Sequence, residues 1–307
     1  MVYAAHFTVT ALACYLTARL LLGAARHGAT WTWHSPRVAI VCWQALGLAF
    51  GLSAIGVPIS VGLAPYGQST GSALRSLAGD LLGGGDLPPG LGVTHLGLVG
   101  VGFGVATVLL GSTVRSLLGA LRAQRRHRDL LTLVARDDPA APGALVLDHP
   151  SAAAYCLPGV RPQVVVSAGT LSLLDRTQLA AVLSHERAHA DERHDLVLLP
   201  FTALCRALPV LRWIRAANDT VALLVEMRAD DKARRLHADA PLAAALLRFA
   251  TAGARVTPAG ALGVADGHLD ARVQRLMVAP HPTRLPGALA LLTAATLVSL
   301  PVSLFLS

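Results

Sequence analysis

The chain has 307 residues, of which 53% are hydrophobic and only 14% are charged, and this composition excludes an ordinary soluble domain. We therefore predict a membrane protein in contact with the lipid bilayer. The net charge of +8 comes from basic residues near the ends of apolar segments, with no basic stripe interleaved with aromatic residues, so we expect an anionic leaflet rather than nucleic acid as the partner.

Three apolar segments in the first part of the chain are long enough to cross a bilayer as helices of about twenty residues. They cover residues 2–25, 38–63 and 93–118. Residues 64–92 include a run of glycine and proline at 83–90, which predicts a flexible loop. A fourth apolar segment covers residues 285–307. We predict a mainly α membrane protein with three transmembrane helices in residues 1–121 and a fourth at the end.

The distribution of arginine predicts the orientation of these helices. Arg26 and Arg37 border the first loop and a basic cluster at residues 122–128 follows the third helix, whereas the second loop holds only Arg75. Cytoplasmic loops carry the excess of basic residues. We therefore expect both termini outside the plasma membrane and residues 122–284 in the cytoplasm as one domain.

The cytoplasmic region begins with short apolar or alternating runs that are typical of β-strands and are separated by prolines. These runs cover residues 131–135, 144–147, 152–157 and 163–167. Because helical patterns follow them, we predict an α+β domain with a small sheet.

A helix is predicted to begin after Asp175. Asp175 followed three residues later by Gln178 is an N-cap with its capping-box partner. Apolar residues then follow at the spacing of a helix buried on one side, namely Leu179, Val182 and Leu183.

The predicted helix continues into the pentapeptide HERAH at residues 185–189. Two histidines four residues apart project from the same face of a helix and can bind one metal ion, while Glu186 lies about 100° round the helix and can reach a water molecule held by the metal. This is the arrangement of zinc metallopeptidases, and the alternative is an exposed helical face of mixed charge. If the helix continues, His194 points about 140° away from His189, so we expect His194 and Asp195 to support the site rather than bind the metal.

A second helical pattern, starting near residues 218–219, carries Glu226 and Asp230 on one face. Catalytic zinc takes three protein ligands and keeps a fourth position for water, so the two histidines need a third ligand from elsewhere. Glu226 is the best candidate, and Asp230 is placed to accept the free ring N–H of a ligating histidine. The alternative is a solvated acidic face, which the apolar residues 223–225 disfavour.

Residues 196–214 are apolar enough to suggest a further transmembrane helix, yet they contain two prolines and two arginines. A full crossing would put Glu226 on the opposite side of the bilayer from His185 and His189, and one metal site cannot straddle the membrane. We expect this segment to lie at the interface, to re-enter the membrane or to pack on the transmembrane helices. We favour a helix lying against the membrane-facing side of the domain.

The two motifs resemble those of the membrane-embedded gluzincin peptidases, whose second motif has the form ExxADxxA. Here HERAH at residues 185–189 is followed by EMRADDKA at residues 226–233. The chain is most similar to the BlaR1/MecR1 antibiotic-sensing receptors, family M56, and secondarily to the Ste24/HtpX group, family M48. The number and order of the apolar segments are also similar to those of the BlaR1/MecR1 receptors.

The resemblance implies a zincin-like domain with Zn²⁺ bound by His185, His189 and Glu226. It implies that Glu186 is the general base and that Asp230 supports a ligating histidine. Residues 269–276 look like the closing Arg-Val-x-Arg-Leu element of the family. The candidates for the group beside zinc that stabilises the oxyanion are His194, His237 and Arg272.

Gluzincins of this kind also bind substrate by strand addition to an edge strand beside the zinc. The candidate strand here consists of Val164, Val165 and Val166. The alternative is an internal strand with no free edge.

We predict a zinc-dependent endopeptidase that hydrolyses a protein or peptide at the cytoplasmic membrane face. Glu186 would take a proton from a water molecule acidified by zinc and pass it to the leaving amine. A signalling protease of the BlaR1/MecR1 type, which cleaves itself or a transcriptional repressor, is one alternative. Drug sensing is not expected, because the penicillin-binding sensor domain has no counterpart in this sequence. The other alternative is a non-catalytic membrane scaffold, against which the intact Glu186 argues.

Overall fold

The structure is a computed structural model that describes residues 1–26, 31–159, 161–252, 262–263, 269–277 and 284–307. Most of the described residues are helical. The helices are α1 (Val2–Arg26), α2 (Trp31–His34), α3 (Pro36–Gly62), α4 (Thr70–Gly83), α5 (Val93–Val134), α6 (Ala168–Leu173), α7 (Arg176–Asp191), α8 (His194–Ala207), α9 (Arg212–Ala233), α10 (Asp239–Thr251), α11 (Leu269–Met277) and α12 (Arg284–Leu306). The strands are β1 (Ala135–Asp137), β2 (Leu145–Leu147), β3 (Ala154–Leu157), β4 (Gln163–Ser167) and β5 (Leu262–Gly263).

Four of the described helices, α1, α3, α5 and α12, are long and apolar enough to cross a membrane. Together with the small sheet they confirm the predicted mainly helical membrane architecture. Helix α3 contacts the other three. At Gly56, a Cβ atom would lie 2.5 Å from the ring of Phe7 in α1. Any larger residue at this position would therefore displace the Phe7 ring, so glycine permits close contact between α1 and α3.

Helix α5 extends well beyond the predicted third transmembrane segment. It has 42 residues and ends at Val134, so residues 131–134, predicted as a strand, are helical, and β1 begins at Ala135. The extension is fixed to the sheet because His127 Nε2 lies 2.7 Å from the Tyr155 hydroxyl. The predicted loop at residues 64–92 likewise contains a helix, α4.

The sheet is mixed, with strand order β1-β2-β4-β3-β5. Strand β4 pairs with β2 on one side in parallel and with β3 on the other side in antiparallel orientation. Val164, Val165 and Val166 are therefore buried in an internal strand, and the prediction that they form a substrate-binding edge is wrong. Three consecutive valines without polar alternation are typical of a strand that is covered on both faces.

Helix α7 lies on this sheet and contacts β3 and β4. Its apolar residues, including Val182, form a buried cluster with β4 and with α10. The sheet and α10 thus hold α7 in place.

Residues 196–214 lie in a helical hairpin formed by α8 and the start of α9. Helix α8 packs against α5, and α9 packs against α3 and α1, so the segment packs on the transmembrane helices rather than lying along the membrane-facing side of the domain. The ring of Trp213 lies 5.0 Å from that of Phe50 and 6.0 Å from that of Tyr15, between centroids. Phe50 is near the middle of α3, so the turn of the hairpin reaches about halfway along that helix. Helix α9 then returns and brings Glu226 back to α7.

Helix α11 contacts both the end of α9 and the short segment between α1 and α3. Arg275 Nε donates to the Trp33 carbonyl oxygen at 2.6 Å, and Arg275 Nη2 contacts Asp231 Oδ1 at 2.6 Å. The C-terminal half of α9 therefore lies at the same end of the transmembrane helices as Trp33.

Candidate metal centre

Helix α7 begins as the sequence predicts. Asp175 Oδ1 accepts hydrogen bonds from the backbone N–H groups of Thr177 and Gln178, both at 2.9 Å, and the Gln178 side chain accepts from the backbone N–H of Asp175. Because this capping box fixes the first turn, it also fixes the rotation of the helix. His185, Glu186 and His189 follow on the same helix, each at most 1% exposed.

The structure brings the three predicted metal ligands together. One potential ligand atom from each of His185, His189 and Glu226 lies within 4.8 Å of the other two. The Nε2 atoms of the two histidines are 3.1 Å apart, and the Glu226 carboxylate lies 3.4 Å from the first and 3.5 Å from the second. Glu226, which is 37 or more positions away from the two histidines in the sequence, thus meets them between α7 and α9.

Asp230, one turn after Glu226, contacts the other side of His185. Its Oδ1 lies 2.9 Å from His185 Nδ1. Although burial opposes it, the hydrogen bonds to Asp230 and Glu226 raise the pKa of His185 to about 9. With a metal bound at Nε2, Nδ1 would carry the ring proton and donate it to Asp230, which fixes the tautomer needed for metal binding.

Arg272 is a member of the site that the sequence indicated only weakly. Its side chain reaches from α11 into the centre, where Nη2 and Nε donate to the two Asp230 oxygens at 2.7 and 2.9 Å. Its Nη1 lies 2.9 Å from Glu226 Oε2. Burial favours the neutral forms of these carboxyls, but Arg272 and the neighbouring histidines hold the pKa of both Glu226 and Asp230 below the usual range. Both side chains are therefore carboxylates.

His194 lies against the second histidine rather than pointing away from it. Helix α7 ends at Asp191, and Arg193, with φ of 49°, reverses the direction of the chain. His194 is 1% exposed, and its Nδ1 lies 2.9 Å from His189 Nδ1. Burial lowers the pKa of His189 to about 3, so this ring is neutral. If His189 Nε2 binds a metal, its Nδ1–H donates to His194.

The other candidates named from the sequence lie further from the ligand group. His237 Nε2 is 2.8 Å from Ser184 Oγ. Asp195 is paired with the exposed Arg193. Of the three weak oxyanion candidates, Arg272 is the one that contacts a ligand carboxylate.

Glu186 has no exposed surface, and neither of its carboxylate oxygens has a hydrogen-bond partner among the described residues. Burial raises the pKa of its carboxyl to about 8, although the positive charge of His185 acts in the opposite direction. A buried carboxyl without a partner is costly for stability and is common where catalysis requires it.

These side chains fit a divalent cation. Two imidazoles and one carboxylate are a donor set of catalytic zinc sites. Without a metal, the ionised Glu226 and Asp230 are balanced by Arg272 and the protonated His185, and burial favours the neutral form of Glu186. A divalent cation would take the place of the proton on His185 and favour the ionised form of Glu186.

The role of His194 can be tested without an activity assay. His194→Ala removes the hydrogen-bond partner of His189 Nδ1, so we expect the affinity for Zn²⁺ to fall about 10- to 100-fold, as measured by competition with a chelating dye. His194→Asn, whose Oδ1 can accept the same hydrogen bond, should restore most of it. Unchanged affinity in His194→Ala would contradict this role, and Asp195→Ala serves as the neighbouring control.

Comparison with known families agrees with the chemistry of this site. The family model described as Peptidase family M48 matches residues 120–285, more than half of the chain. The match includes the sheet, α7, α9 and α11. No curated protein and no solved structure matches the sequence.

Proposed function

Since the chain belongs to peptidase family M48 and has four helices that can span a membrane, we propose that it is a multi-pass membrane zinc endopeptidase. Its substrate would be a protein or peptide that is cleaved at the cytoplasmic face. The observation that carries this proposal is the convergence of His185, His189 and Glu226, with Glu186 beside them.

His185, His189 and Glu226 would hold the zinc ion. When bound, zinc would acidify a water molecule and polarise the scissile carbonyl. Burial raises the pKa of Glu186, whereas a divalent cation beside it would favour the carboxylate, which could then remove a proton from the attacking water. The same carboxyl then delivers this proton to the leaving amine nitrogen.

The remaining buried groups position the ligands. Asp230 orients His185, and His194 contacts the non-ligating nitrogen of His189. Arg272 contacts both Glu226 and Asp230, so it fixes α9 relative to α11. None of these three needs to change its protonation state during hydrolysis.

The cytoplasmic placement of the domain rests on the arginines at residues 122–128, which α5 carries directly after its apolar part. A single cysteine introduced at Arg125, in a variant without the native cysteines, should react with a membrane-impermeant maleimide only after the cells are opened. Labelling of intact cells would place the domain outside.

A signalling protease of the BlaR1/MecR1 type is a second candidate. It is supported by the order of the apolar helices, three before the metal centre and one after it. In this case the substrate would be the chain itself or a cytoplasmic repressor. Comparing the proteins that accumulate in cells with Glu186→Gln and with the wild type tests both candidates, because an uncleaved repressor would be among them.

A further inference from the structure

A cavity of about 480 Å³ lies between α1 and the start of α9, away from the metal centre. Its walls combine two guanidinium groups with apolar and small side chains. They are formed by Arg19, Leu22, Gly23, Arg212, Trp213 and Ala216.

The two arginines of this cavity have no anionic partner in the described part of the chain. Neither Arg19 nor Arg212 makes a hydrogen bond or an ion pair with a described residue. Two like charges that line one cavity repel each other, and this repulsion grows as the surroundings become less polar. An anion between them would offset the repulsion and accept hydrogen bonds from both guanidinium groups.

The start of α9 adds to the positive character of the cavity. The residue before the helix is Leu211, which provides no side-chain cap, and the first turn has no acidic residue. Free backbone N–H groups at a helix N-terminus attract anions. The position of Trp213 is fixed by its ring contacts with Tyr15 and Phe50, so this wall is preformed.

The cavity lies on the hydrocarbon side of the bilayer interface. Arg19 is five residues, or about 8 Å along the helix, inside the end of the apolar part of α1 at Ala24. The long side chain of an arginine at this depth can extend its guanidinium group toward the head groups. On the adjoining face of α1, the apolar side chains of Leu12, Leu16 and Leu20 are 51% to 74% exposed, as expected for contact with acyl chains.

We propose that this cavity binds the phosphate group of a membrane phospholipid, with Arg19 and Arg212 donating to its oxygens. One acyl chain would then lie along the exposed leucines of α1. An anionic lipid such as phosphatidylglycerol is favoured over phosphatidylcholine, because choline would bring a further positive charge close to the two guanidinium groups. The proposal does not depend on peptidase activity.

Native mass spectrometry of the full-length, zinc-loaded protein in a neutral detergent tests this site, because a neutral micelle has no surface potential that would attract anionic lipid. We expect one tightly bound phosphatidylglycerol, with weaker binding of phosphatidylcholine. Arg19→Gln with Arg212→Gln should weaken phosphatidylglycerol binding at least about tenfold, since two charge-assisted hydrogen bonds are lost.

The matched control is Arg122→Gln with Arg125→Gln, which removes two exposed arginines of α5 outside the cavity. It should change lipid affinity by less than about twofold. Zinc content reports that each variant is folded, and the single variants, each expected to lose part of the affinity, replace the double variant if it is unstable.

Three results would overturn the proposal. The first is equal lipid affinity in the wild type and the cavity variant. The second is an equal loss in the cavity and control variants, which would indicate unspecific attraction. The third is complete displacement of phosphatidylglycerol by millimolar inorganic phosphate, which would make the ligand a soluble anion.

Discussion

Replacing Glu186 by Gln is expected to reduce peptide-bond hydrolysis by about 10²- to 10⁴-fold while zinc stays bound. The amide has nearly the same size as the carboxylate, so α7 and its two histidines should keep their positions. It cannot accept a proton from water near neutral pH, and this loss removes the base and, later in the reaction, the acid. Hydrolysis of the cellular substrate and zinc content are measured on the same preparation.

The control for this variant is Asp191→Asn, five residues further along α7. The Asp191 side chain is 64% exposed and contacts Lys232, so the same chemical change there should leave both activity and zinc content nearly unchanged. Activity in Glu186→Gln above about a tenth of the wild-type rate would contradict the assignment of Glu186 as the base.

Replacing Arg272 by Met is expected to be the most destabilising single change in the described part of the domain. It leaves the Asp230 and Glu226 carboxylates buried without their shared cation, which costs about 3–5 kcal/mol in the free energy of unfolding. A loss of this size lowers the melting temperature by roughly 10 °C. Thermal unfolding in detergent, followed by circular dichroism, measures the effect.

Arg272→Lys separates charge from geometry. Lysine keeps the positive charge but cannot donate two parallel hydrogen bonds to Asp230 while also contacting Glu226, so we expect intermediate stability and weaker zinc binding. Arg235→Met removes an exposed arginine nearby and should have little effect on either property. A melting temperature of Arg272→Met equal to that of Arg235→Met would show that the buried ion pairs contribute nothing to folding.

The ligand residues could be predicted from the sequence because their relationships are local. The spacing of His185 and His189, and that of Glu226 and Asp230, is that of one helical turn, and the Asp175 capping box marks where the first helix begins. Strand β4 was also predicted with its observed bounds. In these cases the hydrogen bonds that define the element lie within a few residues, or the apolar pattern is unambiguous.

Features that depend on distant contacts could not be predicted in the same way. The contact of Arg272 with Asp230 joins residues 42 positions apart, and nothing in the pattern around Arg272 shows where α11 packs. His194 was expected to point away from His189 because the helix was continued, whereas the left-handed Arg193 turns the chain back. Left-handed backbone at an arginine has no sequence signal.

The order of strands in the sheet also depends on contacts between distant residues, so it could not be predicted from the local sequence. Val164, Val165 and Val166 indicate a strand, but whether that strand is at the edge depends on β2 and β3 pairing on both sides of it. The run at residues 131–134 is apolar enough for a strand, yet it continues a helix that has already formed over more than thirty residues. Propagation of an existing helix adds one hydrogen bond per residue, which outweighs a weak local preference for strand.

The central claim is that α7 and α9 bind one zinc ion between them through His185, His189 and Glu226. X-ray absorption spectroscopy of the purified protein, combined with elemental analysis, tests it most directly. We expect about one zinc per chain with two imidazole ligands, and loss of most of the metal in Glu226→Ala. Zinc that remains bound with an unchanged spectrum in Glu226→Ala would contradict the claim, because α9 would then take no part in the metal centre.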